Sequence, residues 1–220
     1  MLGLTATRGR RSRLKVLCLG AHSDDIEIGC GGTILRLAAA QRPRPEFRWV
    51  VWSAEAKRAT EAQAGARRIL GKHAESETRL HKFRDGFFPA QFTQIKDGFE
   101  EIAQEFKPDI VFTHARDDRH QDHRVISDLT WNTFRDQLIL EYEIPKWDGD
   151  LGRPNFYVPI SKPTAQRKIR ALLGAFGTQR SKDWFTAETF LGLMRLRGME
   201  CRAEAGYAEA FYARKVTLSV

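Results

Sequence analysis

Two short segments of the chain hold side chains that could bind a metal ion together. The first is His22-Ser23-Asp24-Asp25 and the second is His120-Gln121-Asp122-His123. If a helix begins in the first segment, His22 and Asp25 stand three residues apart and can face one point, whereas Asp24 lies beside that point. Imidazole and carboxylate ligands with an open coordination position suit zinc, which lowers the pKa of a bound water to about 7. The two segments therefore predict a metal site of the kind that activates water.

Both segments directly follow stretches that are predicted to be buried strands. Residues 15–21 (KVLCLGA) form a continuous apolar run, and residues 109–113 (DIVFT) form another. Such runs are typical of strands in parallel sheets, which are covered on both faces. Because ligands bind where the carboxyl ends of parallel strands meet, we expect the two segments to share one site.

The order of predicted elements indicates the fold class. Further strands are predicted at residues 47–53 and 78–83, and helices at residues 33–40, 54–70 and 92–106. Strands that alternate with helices predict βαβ units. We therefore expect an α/β fold with a Rossmann-like, mainly parallel β-sheet flanked by helices in a single domain. Later elements have weaker patterns: strands at residues 138–143, 156–160 and 211–218, and helices at residues 164–176 and 187–196.

Some residues in and near the segments also have simpler interpretations. Asp24 and Asp25 would serve as helix N-caps, because a carboxylate there accepts free amide hydrogens and complements the helix dipole. His114, at the end of the DIVFT strand, is expected to be an ordinary loop imidazole. The glycines of the GCGG stretch that ends at Gly32 do not match the GxGxxG fingerprint of dinucleotide binding, and we expect them to let a helix pack closely on the sheet.

Two neighbouring groups of side chains leave two interpretations open. Arg116, Arg119 and Arg124 surround the second segment, and they either neutralise a phosphate on a substrate or balance the nearby aspartates. Phe87 and Phe88 either offer a stacking platform for a sugar or pack in the core.

Several motifs of the chain, and the order in which they occur, resemble those of a known enzyme family. Ala21-His22-Ser23-Asp24-Asp25 looks like the AHPDD signature of the LmbE-like (PIG-L) N-deacetylases, which are zinc hydrolases that remove acetyl groups from N-acetylated amino sugars. The segment His120–His123 resembles their HxDH motif. Further similarities are Arg58 and Glu61 before Leu70-Gly71, then Asp85-Gly86, and finally Glu209-Ala210-Phe211. Ser23 stands at the usual proline position, which leaves the loop less rigid but removes no metal-binding or catalytic atom.

The resemblance implies a metal centre with an adjacent base. His22, Asp25 and His123 would bind one zinc ion per chain, or another divalent ion such as iron(II). Asp24 would be the general base that takes a proton from the zinc-bound water, which is the nucleophile. The substrate would be a small molecule, an N-acetyl amino sugar such as N-acetylglucosamine or a conjugate of one.

The resemblance also implies roles for residues around that centre. His120 would stabilise the oxyanion together with zinc, and Asp122 would hold the His120 imidazole in its charged form. Arg58 and Asp85 would lie near the sugar and bind it.

Composition limits the class of protein. The 220 residues are 42% hydrophobic and 29% charged, which is typical of a folded globular protein. No apolar run approaches the roughly 20 residues that cross a bilayer, so no transmembrane segment is expected. Three scattered cysteines, Cys18, Cys30 and Cys201, argue against a disulfide scaffold and for a reducing compartment, and we expect a cytoplasmic protein.

The net charge of +8 is concentrated at the N-terminus. Residues 1–15 hold five basic residues and no acidic residue, and the remainder of the chain carries only +3. We expect residues 1–14 to form a flexible basic arm and residues 15–220 to form the deacetylase domain. Such an arm would contact nucleic acid, an anionic lipid surface or an acidic neighbour.

Other functions are also compatible with the sequence. The same metal site would serve the hydrolysis of esters or phosphoesters. A non-catalytic nucleic-acid-binding protein that uses the basic arm is disfavoured by the small charge of the remaining chain and by the lack of a known reading motif. A Rossmann-like nucleotide binder, such as a methyltransferase, is disfavoured by the missing glycine fingerprint. The sequence does not decide between a monomer and a homo-oligomer.

Overall fold

The structure is a computed structural model, and it describes residues 13–40, 43–71 and 75–217. Residues 1–12, which make up most of the predicted basic arm, lie outside the described residues. The described part of the chain forms one sheet of seven strands with helices on both faces. The predicted α/β class, the mainly parallel sheet and the single domain are therefore confirmed.

The elements alternate along most of the chain. The strands are β1 Lys15–His22, β2 Glu46–Ser53, β3 Glu75–Leu80, β4 Ile110–His114, β5 Leu138–Tyr142, β6 Phe156–Ile160 and β7 Tyr207–Tyr212. The helices are α1 Asp25–Ala40, α2 Ala56–Leu70, α3 Phe92–Glu105, α4 Gln121–Thr133, α5 Lys162–Ala175 and α6 Ala187–Glu200, with short 3-10 turns at Phe88–Gln91 and Gly177–Gln179. In the ranges given above, none of the helices is both long and apolar enough to cross a membrane.

The sheet has a point where the direction of strand addition reverses. Its order is β3-β2-β1-β4-β5-β7-β6, with β1 to β5 parallel and β7 antiparallel to both of its neighbours. The chain adds β2 and β3 on one side of β1 and then crosses to add β4 and β5 on the other side. In open α/β sheets, such a reversal leaves a crevice at the carboxyl ends of the two central strands, and ligands bind there.

The central strand β1 is buried on both faces. Val16 and Cys18 belong to the core beneath α1, α2, α5 and α6, whereas Leu17 and Leu19 belong to the core beneath α3 and α4. All four side chains are fully inaccessible to solvent. Two close-packed layers therefore fix the position of β1, and with it the residue at its end, His22.

Helix α1 begins earlier than the sequence predicts, at Asp25 rather than at Thr33. Its first two turns contain Gly29, Gly31 and Gly32, which lower intrinsic helix propensity. A Cβ atom at Gly29 would overlap the ring of Tyr142, so the helix lies directly against the sheet there. Close packing is the role that the sequence analysis assigned to these glycines, and it outweighs their local preference.

A buried ion pair ties the middle of α1 to β7 and α5. Glu209 accepts hydrogen bonds from the backbone amides of Gly32 (2.8 Å) and Thr33 (2.6 Å). Lys168 donates to Glu209 at 2.6 Å and to the backbone carbonyl of Ile28 at 2.5 Å. The Glu209-Ala210-Phe211 motif thus has a structural role here, because it holds the helix that begins with Asp25.

Three further elements differ from the sequence predictions. The pairing of β3 with β2 begins at Glu75, so β3 lies earlier than residues 78–83. Pairing with β5 and β6 likewise places β7 at Tyr207–Tyr212 rather than at residues 211–218. Helix α4 was not predicted, and its first turn coincides with the histidine- and aspartate-rich second segment.

Candidate metal centre and active site

The two histidine- and aspartate-rich segments meet at the reversal point of the sheet. His22 is the last residue of β1, and Asp25 is the first residue of α1 after a two-residue turn. His120 is the N-cap of α4, the helix that follows β4 and carries His123. His22 and His123 are 101 residues apart in sequence, yet their ring centroids are 5.1 Å apart. The sheet thus brings together the two segments, as the sequence predicts.

Three potential ligand atoms form a small triangle. His22 Nδ1 lies 3.2 Å from His123 Nε2 and 3.4 Å from Asp25 Oδ2, and His123 Nε2 lies 3.6 Å from the same Asp25 oxygen. Zinc bonds of about 2.0–2.1 Å in a tetrahedron separate the ligand atoms by about 3.3–3.4 Å. The three side chains therefore fit the edge lengths of one tetrahedral zinc site.

Hydrogen bonds orient His22 within this triangle. Its backbone amide donates to Asp25 Oδ2 at 2.6 Å, and its Nε2 lies 3.2 Å from Asp122 Oδ2 and 3.1 Å from Asp85 Oδ1. A proton on Nε2 satisfies these carboxylates and leaves the Nδ1 lone pair facing the triangle. Burial opposes charge on the ring, but Asp25 and then Asp122 raise the pKa of His22 well above its ordinary value. The carboxylates thus create a negative potential that a bound cation would balance.

Asp118 orients His123, and the sequence analysis missed this contact. His123 Nδ1 donates to Asp118 Oδ2 at 2.8 Å, which leaves the Nε2 lone pair free. Burial and then His114 lower the pKa of His123 to about 3, so the imidazole is neutral near pH 7, as a metal ligand must be. Lys146 lies 3.1 Å from Asp118 Oδ1 and fixes the carboxylate from its other side. The feature of the sequence that could have revealed this contact is the spacing of Asp118 and His123, which lie five residues apart.

His114 is not an ordinary loop imidazole, so that expectation is wrong. It is the last residue of β4 and fully buried, and its ring stacks on His123 at 3.9 Å. Its Nε2 accepts the backbone amide of Ala21 at 3.0 Å and lies 3.3 Å from Asp25 Oδ2. Asp25, His114 and His123 also satisfy the distances of a metal cluster. His114 does not line the cavity described below, however, whereas His22 does.

Asp24 lies beside the triangle rather than in it. Arg58 Nη2 donates to Asp24 Oδ1 at 2.6 Å, while Arg58 Nη1 reaches Glu61 Oε2 at 3.1 Å. Glu61 in turn accepts from the backbone amide of Thr178 at 2.8 Å. Burial raises the pKa of Asp24 above its ordinary value, although Arg58 opposes that shift. One oxygen of a buried carboxylate is thus held by an arginine next to the triangle of His22, Asp25 and His123.

The contacts of Asp122 differ from the expected ones. Its carboxylate accepts from the backbone amides of Gly86 (2.6 Å) and Phe88 (3.1 Å) and faces His22, whereas His120 Nδ1 accepts from the Asp122 backbone amide at 3.3 Å. A ring nitrogen that accepts carries no proton. Burial and then the nearby charge of His22 lower the pKa of His120 below its ordinary value. The expected hydrogen bond between the Asp122 carboxylate and the His120 ring is therefore not formed.

The triangle opens into a cavity of about 680 Å³, a size typical of small-molecule sites. Its lining residues are His22, Asp24, Asp25, Ser53, Glu55, Arg58, Lys82, Phe83, Arg84, Asp85, His120, His123, Ile144, Lys146, Gln179, Lys182 and Trp184. Asp25 and His123 are buried at its floor, and Lys82 and Arg84 are exposed. Both residues that were expected near a sugar, Arg58 and Asp85, line this cavity.

The three arginines that surround the second segment do not line the cavity. Arg124 donates to the backbone carbonyl of Asp118 at 3.2 Å, and Arg116 lies over the ring of Trp131 at 5.1 Å. Arg119 does not line the cavity either. A phosphate bound in the cavity would therefore not contact these three arginines.

Phe87 and Phe88 do not line the cavity either. Phe88 is fully buried, with its ring centroid 6.1 Å from that of His22, so it packs in the core. Phe87 is 45% exposed and stacks with the guanidinium of Arg84 at 3.6 Å. Phe88 therefore packs in the core, which is one of the two roles that the sequence left open for this pair.

Comparison with known sequences identifies similar proteins. The family model described as PIG-L, GlcNAc-PI de-N-acetylase, matches residues 17–134, which is more than half of the chain. The chain is also 30% identical over 149 residues to the uncharacterized deacetylase YaiS of Escherichia coli (strain K12). That match covers 60% of this chain and 75% of YaiS.

Comparison with solved structures identifies the same fold. The conserved protein TT1542 from Thermus thermophilus superposes with a TM-score of 0.73 at 21% identity, over 94% of this chain and 97% of that one. The N,N'-diacetylchitobiose deacetylase from Pyrococcus horikoshii gives a TM-score of 0.65 at 22% identity, over 90% of this chain and 82% of that one. At these identities the likeness concerns the fold alone.

Proposed function

This chain belongs to the PIG-L (LmbE-like) family of deacetylases, and from that premise we propose that it is a zinc-dependent N-deacetylase. Its substrate is an N-acetylated amino sugar or a conjugate of one. The observation that carries the proposal is the meeting of His22 Nδ1, Asp25 Oδ2 and His123 Nε2 at the floor of an open cavity. The P. horikoshii structure supports the substrate class, because that enzyme is named for diacetylchitobiose.

The three residues of the triangle would hold the metal ion. Two imidazoles and one carboxylate match the ligand sets of catalytic zinc sites, which keep one coordination position open. When bound, zinc supplies Lewis acidity, which lowers the pKa of water and polarises a carbonyl group. The carboxylates of Asp118 and Asp122 would keep the ring protons of His123 and His22 on the nitrogens that face away from the triangle.

Asp24 is the general base in this proposal. Arg58 occupies its Oδ1, so Oδ2 receives the proton of the attacking water. The same oxygen then returns that proton to the departing nitrogen. Atoms balance in this sequence: the water oxygen forms a bond to the acyl carbon, the carbon–nitrogen bond breaks, and acetate and a free amine leave the site. General acid–base catalysis of this kind contributes about 10²–10⁴-fold in rate.

His120 is the donor for the developing oxyanion. Its Nδ1 accepts from the backbone amide of Asp122, so the neutral ring carries its proton on Nε2. A neutral imidazole N–H can donate to a carbonyl oxygen that gains charge in the transition state. Asp122 acts on the reaction through other groups, because it positions His22 and the loop that contains Gly86.

Arg58 and Asp85 contact the sugar in this proposal. Both side chains line the cavity, and Asp85 is largely exposed, so its carboxylate can accept hydrogen bonds from sugar hydroxyl groups. A cavity lined mostly by charged and polar side chains suits a hydrophilic ligand better than an apolar one.

The proposal is tested by assaying free acetate and free amine from a panel of N-acetyl amino sugars with the zinc-loaded protein. Generic esters and phosphoesters complete the panel, because hydrolysis of those alone would assign the site to a different reaction. We expect Asp24→Asn to lower kcat by about 10²–10⁴-fold while zinc content stays stoichiometric.

Asp128→Asn is the matched control for this substitution. Asp128 is an exposed residue of α4 outside the cavity, so the same chemical change should leave kcat unaltered. Full activity in Asp24→Asn would exclude Asp24 as the base, and the absence of acetate from every sugar would count against the deacetylase proposal.

A further inference from the structure

The outer part of the cavity is lined by three cations that the proposed chemistry does not use. Lys82 and Arg84 belong to the loop after β3, and Lys182 belongs to the loop after the Gly177–Gln179 turn. Lys82 and Arg84 are exposed and Lys182 is partly buried, whereas Asp25 and His123 of the triangle are buried. The three cations therefore mark the solvent side of the cavity.

The cations nearer the floor of the cavity are already neutralised. Arg58 forms ion pairs with Asp24 and Glu61, and Lys146 forms ion pairs with Asp118 and Asp150. Where the structure describes the chain, no carboxylate forms an ion pair with Lys82, Arg84 or Lys182. Their charges are thus free to act on a ligand.

Few acidic groups offset the three cations. Glu55 is the acidic lining residue without a described ion pair, while Asp85 contacts His22. Asp183 follows Lys182 in sequence, but its carboxylate accepts a hydrogen bond from Trp147 Nε1 at 2.8 Å. The outer cavity is therefore positive, although its floor is rich in carboxylates.

The two loops hold these cations in defined places. The guanidinium of Arg84 stacks on the ring of Phe87, and the side-chain amide of Gln91 bonds both the backbone amide and the carbonyl of Arg84 at 3.1 Å. The Lys182 ammonium lies 5.4 Å from the ring of Trp184. A cation placed by an aromatic ring and a fixed backbone loses less conformational entropy when it binds an anion.

We propose that the substrate carries an oxyanion, a phosphate or a carboxylate, on the side remote from its acetamido group, and that Lys82, Arg84 and Lys182 bind this group. The inference rests on the proposed deacetylase function and specifies the class of conjugate. Arg84 offers a planar fork of N–H donors that suits two oxygens of one oxyanion. The lysines add point charges that attract it.

The test compares three substrates that differ only in their anomeric group: N-acetylglucosamine 1-phosphate, the carboxymethyl glycoside and the uncharged methyl glycoside. We expect kcat/KM to be about tenfold higher for at least one charged substrate than for the methyl glycoside, mainly through KM, because solvent-exposed ion pairs contribute about twofold to fivefold each. The advantage should shrink as ionic strength rises.

Two substitutions test whether Lys182 and Arg84 cause the preference for a charged substrate. Lys182→Glu and Arg84→Ala should each reduce the preference for the charged substrate about twofold to fivefold and leave the methyl glycoside within about twofold. Arg170→Ala, on the exposed face of α5 and outside the cavity, is the matched control and should change neither. Equal kcat/KM for all three substrates in the wild-type protein would overturn the oxyanion site and leave the deacetylase proposal intact.

A binding experiment keeps the inference testable if no substrate is hydrolysed, a result that would count against the deacetylase proposal alone. Calorimetry then compares glucosamine 1-phosphate and the carboxymethyl glycoside of glucosamine with methyl glucosaminide. We expect at least one of the two charged ligands to bind the wild-type protein about tenfold more tightly than methyl glucosaminide, and to lose that advantage in Lys182→Glu. Affinities that do not depend on ligand charge would contradict the oxyanion site.

Discussion

His22 and His123 each place one ring nitrogen at a corner of the triangle with Asp25 and turn the other nitrogen toward a carboxylate. Asp122 accepts from the outer nitrogen of His22, and Asp118 accepts from that of His123. Such carboxylate–histidine pairs fix the tautomer of a metal ligand and raise its basicity. The proposed centre therefore depends on two aspartates that do not touch the ion.

Asp118→Asn tests this dependence at the level of one residue. An asparagine amide can donate as well as accept, so the proton of His123 is no longer fixed on Nδ1. We expect zinc affinity to fall about 10–100-fold, measured by competition with a chromophoric chelator. Asp117→Asn is the control, because Asp117 is a largely exposed neighbour. Equal zinc affinities of the two variants would show that Asp118 does not support the ligand.

The motifs in the sequence pointed to His22, Asp25 and His123, because these residues flank two buried strands at recognisable spacing. They did not reveal Asp118 or His114. Asp118 lies among several aspartates, and only the coordinates distinguish the one that bonds His123 from those that face solvent. His114 ends a strand, and its burial against Ala21 and His123 depends on the pairing of β4 with β1.

At the scale of secondary structure, α1 is the element that connects the core to the proposed metal centre. Its first residue is Asp25, its early glycines lie against the sheet, and its middle is bound by Glu209. A long-range contact from β7 thus supports the helix whose N-terminus carries the proposed ligand Asp25.

Removing Glu209 should destabilise the whole fold. Glu209→Ala leaves the buried Lys168 ammonium without its partner and removes the acceptor for two α1 amides. We expect the free energy of unfolding, measured with urea, to fall by about 3–5 kcal/mol. Glu204→Ala, an exposed glutamate in the preceding turn, should change it by less than about 0.5 kcal/mol. A similar small effect for both variants would mean that the ion pair does not hold α1.

Most strands and helices were predictable from apolar periodicity. The elements that were not predicted correctly depend on contacts with distant parts of the chain. The glycines of α1 and the histidine-rich start of α4 look unlike helix, yet tertiary packing places them in helices. The bounds of β3 and β7 are set by pairing with distant strands, which a local pattern cannot contain.

At the scale of the molecule, the sheet joins two segments that are 101 residues apart. The parallel arrangement of β1 and β4 was predictable from the alternation of strands and helices. Because ligands bind at the carboxyl ends of parallel strands, the location of the candidate site was then predictable too. The outer lining of the cavity was not predictable, because Lys82, Arg84 and Lys182 belong to loops without a recognisable motif.

Metal removal should lower the thermal stability of the folded chain. A ligand at 100 times its Kd adds about 2.7 kcal/mol, and for 150–250 residues each kcal/mol shifts Tm by about 2–4 °C. We therefore expect chelation to lower Tm by about 5–10 °C, measured by scanning calorimetry. His123→Ala should show the low Tm with or without added zinc. A Tm that responds to chelation equally in both proteins would place the stabilising ion elsewhere.

The most direct measurement is an anomalous difference map from crystals of zinc-loaded protein, recorded at the zinc absorption edge. We predict one strong peak per chain at the floor of the cavity, about 2.0–2.2 Å from His22 Nδ1, Asp25 Oδ2 and His123 Nε2. A peak on a different set of side chains, or the absence of any peak among these three, would contradict the metal centre on which the proposed deacetylase activity depends.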